Sequence, residues 1–130
     1  SKNLMFYNPQ GLVEVNKVRS DNRKTNDSTV GKRPSRQGVY KQHYTNYPTN
    51  ILEFKSEEGL HPTQKPVALF EYLIKTYTNE GDVVLDNCIG SGTTARASIN
   101  TNRNYIGIEL HEEYCNIANQ RINDLVNGLE

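Results

Sequence analysis

The chain has 130 residues, 35% of them hydrophobic and 23% charged, with a mean hydropathy of −0.76, which allows one ordinary domain with a modest core. No apolar run approaches the roughly 20 residues of a membrane span and no secretory pattern opens the chain, so a soluble protein is expected. Cys88 and Cys115 are too few for a disulfide framework, which makes a reducing cytoplasm the expected compartment, and a start at Ser1 rather than Met is expected of a processed chain or a piece of a longer one.

The net charge of zero conceals a division along the chain. Residues 1–60 carry ten Lys and Arg against six Asp and Glu, a net +4, whereas residues 61–130 carry five against nine, a net −4. The basic excess lies at Lys17, Arg19, Arg23, Lys24, Lys32, Arg33, Arg36 and Lys41. A polyanionic partner and a solvated, mobile loop both explain this stretch, so charge alone leaves the two interpretations open.

The first 60 residues are predicted to be strands and loop. Three short apolar stretches are expected to be strands: residues 4–7, 12–15 and 50–54. Residues 16–50 follow neither the helical nor the strand period, and Pro and Gly interrupt them, so they are predicted to be loop.

From His61 onward, helical and strand patterns alternate. The predicted elements are a helix over 66–78, a strand at 83–85, a helix at about 92–99, a strand at 104–110 and an amphipathic helix over 114–126. This order implies parallel strands joined by right-handed crossovers, which is the doubly wound α/β fold. The strand at 104–110 is apolar enough to be buried on both faces.

A glycine-rich turn, "VVLDNCIGSGTT" (residues 83–94), joins the first of these strands to its helix. Such a turn presents backbone N–H groups and a helix N-terminus to a ligand, and Gly90 and Gly92 allow close approach. The signal is weak by itself. A phosphate-binding P-loop requires Gly-Lys-Ser/Thr, and here Gly92 is followed by two threonines, so phosphate binding is disfavoured.

Two carboxylates narrow the choice of ligand. Asp86 ends the first parallel strand, where it suits a cationic group, and Glu109 ends the second, where an acid typically binds ribose hydroxyls. A nucleoside that carries a positively charged amino group fits both, which describes S-adenosylmethionine better than a dinucleotide. Glu109 is also explained as a helix-start carboxylate that the helix dipole favours.

Together with "HPTQKP" (residues 61–66), the segments "VVLDNCIGSGTT" and "NYIGIEL" resemble the DNA amino-methyltransferases, which methylate the exocyclic nitrogen of adenine or cytosine. The resemblance covers about residues 60–122. It implies a partial Rossmann-like methyltransferase fold, with a parallel sheet and flanking helices, that binds S-adenosylmethionine. It also implies which residues bind the cofactor: Thr63, Lys65, Asp86, Asn87, Cys88, Gly90, Gly92, Thr93, Thr94 and Glu109. Cys88 stands where the family has Phe, which thins the implied pocket wall.

The order of the motifs resembles the family's β class, in which the catalytic and target-recognition parts precede the cofactor motifs. Residues 1–60 are therefore interpreted as the tail of a recognition region and residues 61–130 as the cofactor-binding unit. This resemblance favours double-stranded DNA as the polyanion that the basic stretch binds. Adenine is preferred to cytosine as the target base from the resemblance alone.

The family's catalytic motif, Asp/Asn/Ser-Pro-Pro followed by an aromatic residue, is missing, because the sequence contains no Pro-Pro. "YNPQG" (residues 7–11) lacks the second proline and is interpreted as a turn, so no catalytic residue is assigned. A non-catalytic subunit or relic is the alternative hypothesis, and a dinucleotide-binding domain is disfavoured because it gives "HPTQKP" no role. The missing strands are expected to come from a longer parent chain, from a second polypeptide or from a partner copy, with Leu69, Tyr72 and Leu73 as candidate contacts.

The remaining candidate residues are interpreted as structural. His43, His61 and His111 lack metal-ligand spacing, so no metal is expected. Tyr40, Tyr44 and Tyr47 lie beside basic residues, where stacking on bases and packing on the domain are both open.

Overall fold

The computed structural model describes residues 6–21, 38–56 and 64–129. Their elements in chain order are β1 (Val13–Asp21), β2 (Gly38–Thr45), α1 (Val67–Tyr77), β3 (Val83–Asp86), α2 (Thr93–Asn100), β4 (Asn104–Gly107) and α3 (Glu112–Val126). They form two compact units, one of residues 11–49 and the other of residues 1–10 with 50–130. Within these described ranges, no helix has the length and apolarity needed to cross a membrane.

The unit of residues 11–49 contains an antiparallel ribbon of β1 and β2. The pairing runs from Val13 opposite Thr45 to Asp21 opposite Gly38, and its register shifts between Glu14 and Lys17. Asn16 lies inside this shift with a φ of 45°, a left-handed conformation that Asn tolerates better than most residues.

The ribbon contradicts the loop prediction at residues 16–21 and 38–45, whereas residues 46–50 are in no strand or helix, as predicted, and residues 22–37 lie outside the described ranges. From Asn16 onward the strands are mostly polar, and Val18 and Val39 are 72% and 74% exposed, so no apolar period marks this part of the ribbon. Of the three predicted strands, residues 12–15 overlap β1, whereas residues 50–54 are not a strand. In the third, Phe6 and Tyr7 are not in a strand, and residues 4 and 5 lie outside the described ranges.

The second unit is an α/β structure, which confirms the predicted fold class. Pro66 precedes the first residue of α1 with φ −60° and ψ 135°, and the N–H of Thr78 closes the helix on the carbonyl of Ile74. Strands β3 and β4 are parallel, with Val84 opposite Tyr105. Helix α2 joins them and packs against both strands and against α1 and α3.

One face of this two-stranded sheet is exposed. Val84 and Tyr105 are half-buried, whereas Val83, Leu85 and Ile106 are 58%, 65% and 54% exposed. Because side chains alternate between faces, these three residues share the outer face. The prediction that the strand at 104–110 is buried on both faces is therefore wrong for the described residues, since the helices described here leave that face uncovered.

The core around α2 is built from small and polar residues. Ala95 and Ala97 are fully buried, and two of the buried hydroxyls bond the helix's own carbonyls, with Ser98 Oγ donating to Thr94 O at 2.8 Å and Thr101 Oγ1 to Ala97 O at 2.7 Å. Self-satisfied hydroxyls avoid the cost of burying unpaired polar groups. The short side chains let α1 and α3 pack on either side of α2.

The "NPQG" segment is a turn at Gln10 and Gly11, as predicted. The N–H of Asn8 donates to the carbonyl of Thr76 at 2.7 Å, near the C-terminal end of α1, and Tyr7 stacks at a tilt on Tyr77 with 5.9 Å between ring centroids. Asn8 therefore satisfies one of the helix's terminal carbonyls. Its backbone role fits a structural segment rather than a catalytic one.

Candidate functional site

The loop between β3 and α2 is fixed at both ends by one carboxylate. Oδ1 of Asp86 accepts the N–H of Cys88 at 3.0 Å, and Oδ2 accepts the hydroxyl of Thr94 in the first turn of α2. Asp86 is half-buried at the carboxyl end of β3. The residue predicted to face a cationic ligand thus also shapes the loop that surrounds the site.

Glu109 holds the middle of the same loop from the end of the neighbouring strand. Its Oε2 accepts the N–H of Gly90 at 2.9 Å, while Oε1 accepts the N–H groups of Leu110 at 2.9 Å and His111 at 3.0 Å. The hydrogen bonds from His111, Gly90 and Leu110 hold the pKa of the carboxyl below its ordinary value of 4.5, although burial acts in the opposite direction. Glu109 is therefore an ionised acceptor that joins the loop to the start of α3.

Other N–H groups of the loop also donate hydrogen bonds to acceptors within the protein. Ile89 N–H bonds the carbonyl of Ile108 at 3.0 Å, and Gly92 N–H bonds the carbonyl of Ile89 at 3.0 Å. With the N–H groups of Cys88 and Gly90 already bonded to carboxylates, these four donors do not point at a ligand. The expectation that the loop presents its N–H groups is wrong at these positions, which agrees with the disfavoured binding of phosphate.

The two glycines of the loop share a backbone conformation that favours glycine, and Gly92 has a further reason to lack a side chain. Gly90 has a φ of 55° and Gly92 a φ of 84°, both in the left-handed region that side chains disfavour. A Cβ at Gly92 would lie 3.0 Å from Cβ and 3.1 Å from Cα of Ala118 on α3. Gly92 is thus required for the packing of α3 against the loop. The sequence predicts a different reason for this glycine, the close approach of a ligand.

A cleft of about 420 Å³ opens over this loop. Most of the predicted cofactor-binding residues line it, namely Lys65, Asp86, Cys88, Gly90, Thr93, Thr94 and Glu109. Two others do not line it: Asn87 is exposed, and Gly92 is buried against α3. Thr63 lies outside the described residues.

The cleft also has lining residues that the motif reading omitted, which are Gln64, Phe70, Ile89, Ser91, His111 and Tyr114. Gln64 lies inside the "HPTQKP" segment, and its place between Thr63 and Lys65 was the sequence signal that it could line the cleft. His111 and Tyr114 meet edge to face with 6.1 Å between ring centroids. Their place in the first turn after Glu109 becomes informative only once that turn is known to face the cleft.

The chemistry of the cleft suits an organic cation with hydroxyl groups and a flat ring. Asp86 and Glu109 supply negative charge, Thr93 and Thr94 are buried, and Tyr114 offers an aromatic surface. The parts of the chain that the structure describes contain no group of three or more His, Cys, Asp or Glu that would hold a metal ion. Cys88 and Cys115 are both free thiols.

On the ribbon, three predicted nucleic-acid contacts are described: Lys17, Arg19 and Lys41. The register and the alternation of side chains place Lys17 and Arg19 on one face with Tyr40, Gln42 and Tyr44, and Lys41 on the other. Tyr40 and Tyr44 are 49% and 43% exposed. Arg23, Lys24, Lys32, Arg33 and Arg36 lie outside the described residues.

Comparison with known proteins gives matches to DNA methylases. The N6/N4 DNA methylase family matches residues 2–120. The type II methyltransferase M.HpaI of Haemophilus parainfluenzae is 40% identical over 89 residues, covering 64% of this chain and 28% of the relative. M2.DpnII of Streptococcus pneumoniae, also named a type II methyltransferase, is 47% identical over 76 residues, covering 57% and 28%. This chain therefore spans little more than a quarter of either relative.

Among solved structures, the crystal structure of the M1.HpyAVI–SAM complex is similar. It matches with a TM-score of 0.51 and 46% sequence identity, covering 60% of this chain and 43% of that chain. The cytosine-N4-specific PvuII DNA methyltransferase matches with a TM-score of 0.52 at 22% identity, covering 70% and 46%, which supports the fold alone.

Proposed function

Because the chain belongs to the N6/N4 DNA methylase family, we propose that it is the cofactor-binding part of a DNA methyltransferase. The reaction transfers a methyl group from S-adenosylmethionine to the exocyclic amino nitrogen of adenine, or of cytosine, in double-stranded DNA. Adenine is the preferred target. The protein works in the cytoplasm, where the cofactor and DNA meet.

The observation that carries this proposal is the pair of carboxylates at the ends of β3 and β4. Asp86 and Glu109 line one cleft and are both joined to the loop between residues 88 and 94. In open parallel sheets, ligands bind at the carboxyl ends of the strands. S-adenosylmethionine brings an ammonium group, ribose hydroxyls and an adenine ring, so its parts match the charges, hydroxyls and aromatic rings of the cleft.

Each lining group has a role toward that ligand. Asp86 faces the cationic amino group, Glu109 retains one unused lone pair, on Oε2, for a ribose hydroxyl, and Lys65 is the cation for the carboxylate. Phe70 and Tyr114 offer ring surfaces for the adenine. The bound cofactor supplies a methyl group on a sulfonium, and this chain holds and orients the cofactor. Correct orientation of the reactants lowers much of the barrier to a direct displacement.

We propose that this chain alone does not transfer the methyl group. The Pro-Pro-aromatic motif is missing from its sequence, and the outer face of the sheet, at Val83, Leu85 and Ile106, is exposed apolar surface. Parallel sheets are ordinarily covered on both faces. We infer that this face is covered, and the catalytic motif supplied, by a further part of a longer chain, by a second polypeptide or by a partner copy. Leu73 is exposed, whereas Tyr72 meets Phe54 edge to face at 6.1 Å, which makes the α1 surface the weaker candidate.

The ribbon is proposed to contact DNA. Lys17 and Arg19 share a face with Tyr40 and Tyr44, so cations for phosphates lie beside rings that stack on bases. A two-stranded ribbon also fits the major groove of duplex DNA.

Ultraviolet cross-linking of the chain to S-adenosylmethionine labelled in its methyl group tests the proposal. The account predicts covalent label that excess S-adenosylhomocysteine removes and excess NAD does not, with no label transferred to added duplex DNA. Competition by both compounds would favour a dinucleotide site. Methylation of DNA by these 130 residues alone would contradict the inferred need for a further catalytic part.

A further inference from the structure

Arg121 of α3 is a buried cation that reaches under the loop of the cleft. Its side chain is 7% exposed, and Nη1 donates to the carbonyl oxygen of Ser91 at 2.7 Å and to Ser91 Oγ at 3.3 Å. Arg121 does not line the cleft, whereas Ser91 does. The guanidinium therefore reaches the lining of the cleft through Ser91 and does not line the cleft itself.

The hydrogen bonds continue from Ser91 to the other wall of the cleft. Ser91 Oγ donates to Oε1 of Gln64 at 3.1 Å, and Gln64 precedes α1 in the segment that carries Lys65. The donors run in one direction, from the guanidinium to the hydroxyl and from the hydroxyl to the amide oxygen. A chain of this kind polarises each successive bond, so the charge of Arg121 strengthens the contact with Gln64.

The loop needs such a restraint because of its glycines. Ser91 lies between Gly90 and Gly92, both with positive φ, and glycine is the residue that most easily leaves one conformation for another. Helix α3 restrains the loop at a second point, where Ala118 contacts Gly92 one turn before Arg121. A buried guanidinium is stable only while its acceptors stay in place, so Arg121 favours the observed loop over others.

We propose that Arg121 is a positioning residue of the cofactor site, which fixes the Ser91 loop and, through Ser91 Oγ, the Gln64 wall. This role of Arg121 rests on the proposed function, because it takes S-adenosylmethionine as the ligand of the cleft. It assigns to a residue of α3 an effect on cofactor affinity without any contact with the cofactor.

The test compares Arg121→Met and Arg121→Lys with a matched control, Arg103→Met. Arg103 also ties backbone carbonyls together, donating from Nη2 to Thr78 O at 2.8 Å and from Nη1 to Thr101 O, and its Nε donates to Thr78 Oγ1 at 3.1 Å, but none of these partners lines the cleft. Thermal unfolding and calorimetric titration with S-adenosylmethionine are measured for each variant. Ser91→Ala, which keeps the carbonyl contact and removes the link to Gln64, completes the set.

We expect Arg121→Met to weaken cofactor binding by about tenfold or more, since it removes hydrogen bonds from a charged donor. Arg121→Lys restores part of the affinity, and Ser91→Ala loses less than Arg121→Met. Arg103→Met lowers the unfolding temperature and leaves the Kd unchanged. Equal Kd values for wild type and Arg121→Met would overturn the inference, as would equal losses in Arg121→Met and Arg103→Met.

Amide hydrogen exchange separates this inference from the proposed function. Faster exchange at Gly90 and Gly92 in Arg121→Lys or Arg121→Met, with no change in Arg103→Met, supports the restraint of the loop even if S-adenosylmethionine does not bind. Unchanged exchange at both glycines would refute it. If Arg121→Met does not fold, the Lys and Ser91→Ala variants decide by the same two readouts.

Discussion

Glu109 Oε2 accepts the N–H of Gly90 at 2.9 Å, so the carboxylate at the end of β4 holds the loop that leaves β3. The two strands are parallel, and their carboxyl ends therefore lie at one edge of the sheet. Glu109 is at once a lining residue of the cleft and a structural acceptor. The two interpretations that its sequence position allowed, a ligand-binding acid and a helix-start carboxylate, are therefore compatible with one geometry.

Replacing Glu109 by Gln should weaken the loop and the site together. The amide has one acceptor oxygen in place of two, so it cannot serve Gly90 and the pair of Leu110 and His111 at once. We expect cofactor affinity to fall by about tenfold or more in calorimetric titration. Glu113→Gln, an exposed change in the first turn of α3, is the matched control, and equal affinities for the two variants would refute the assignment.

The lowered pKa of Glu109 predicts a dependence of stability on pH. Because the folded-state pKa lies below 4.5, this group stabilises the fold above that value, and the contribution is lost as the pH falls through the folded pKa. Urea unfolding of wild type and Glu109→Gln, measured from about pH 6 to 3, should show the difference between them shrinking with acid. A constant difference across this range would show that ionisation of Glu109 does not matter.

Gly92→Ala should be more destabilising than Gly81→Ala, although both glycines have a φ of 84°. The left-handed conformation costs each alanine roughly 1–2 kcal/mol. At Gly92 the new Cβ also meets Ala118, whereas at Gly81 nothing lies within 4 Å. Chemical unfolding measures both, and Ala118→Gly in the Gly92→Ala background should recover part of the loss. Equal destabilisation at the two glycines would remove the packing role of Gly92.

On the ribbon, a double change of Lys17 and Arg19 to Ala should weaken binding to duplex DNA and reduce its salt dependence. Each lost phosphate contact lowers the slope of log K against log salt by about 0.9. Lys75→Ala in the last turn of α1 is the control for a loss of charge elsewhere. Lys41→Ala, on the opposite face of the ribbon, should have the smaller effect. Fluorescence anisotropy measures each slope, and equal slopes for all variants would refute the assigned face.

The α/β unit was predictable from sequence because its elements carry strong local signals. The apolar period of 66–78 gave α1, and the order of strand, glycine turn and helix gave β3 and α2. Asp86 and Glu109 could be placed in one cleft because parallel strands put their ends together.

The ribbon and the finer features of the cleft were not predictable, for physical reasons. Exposed strands such as β1 and β2 bury no apolar face, so no hydrophobic period forms. Two N–H groups of the loop bond acceptors on Ile108 and Glu109, which are distant from the loop in sequence. Arg121 follows the glycine loop by 30 positions, and only the packing of α3 reveals their contact.

Calorimetric titration of the chain with S-adenosylmethionine, alongside Asp86→Ala and Asp82→Ala, tests the central claim most directly. Asp82 accepts the N–H of Asn79 at 2.7 Å at the opposite end of β3, so its removal costs a comparable hydrogen bond away from the cleft. The account predicts one cofactor bound by wild type and Asp82→Ala, and none or much weaker binding by Asp86→Ala. The same affinity in all three proteins would contradict the placement of the cofactor, and no binding by a folded wild-type chain would contradict the claim that this part of the enzyme holds it.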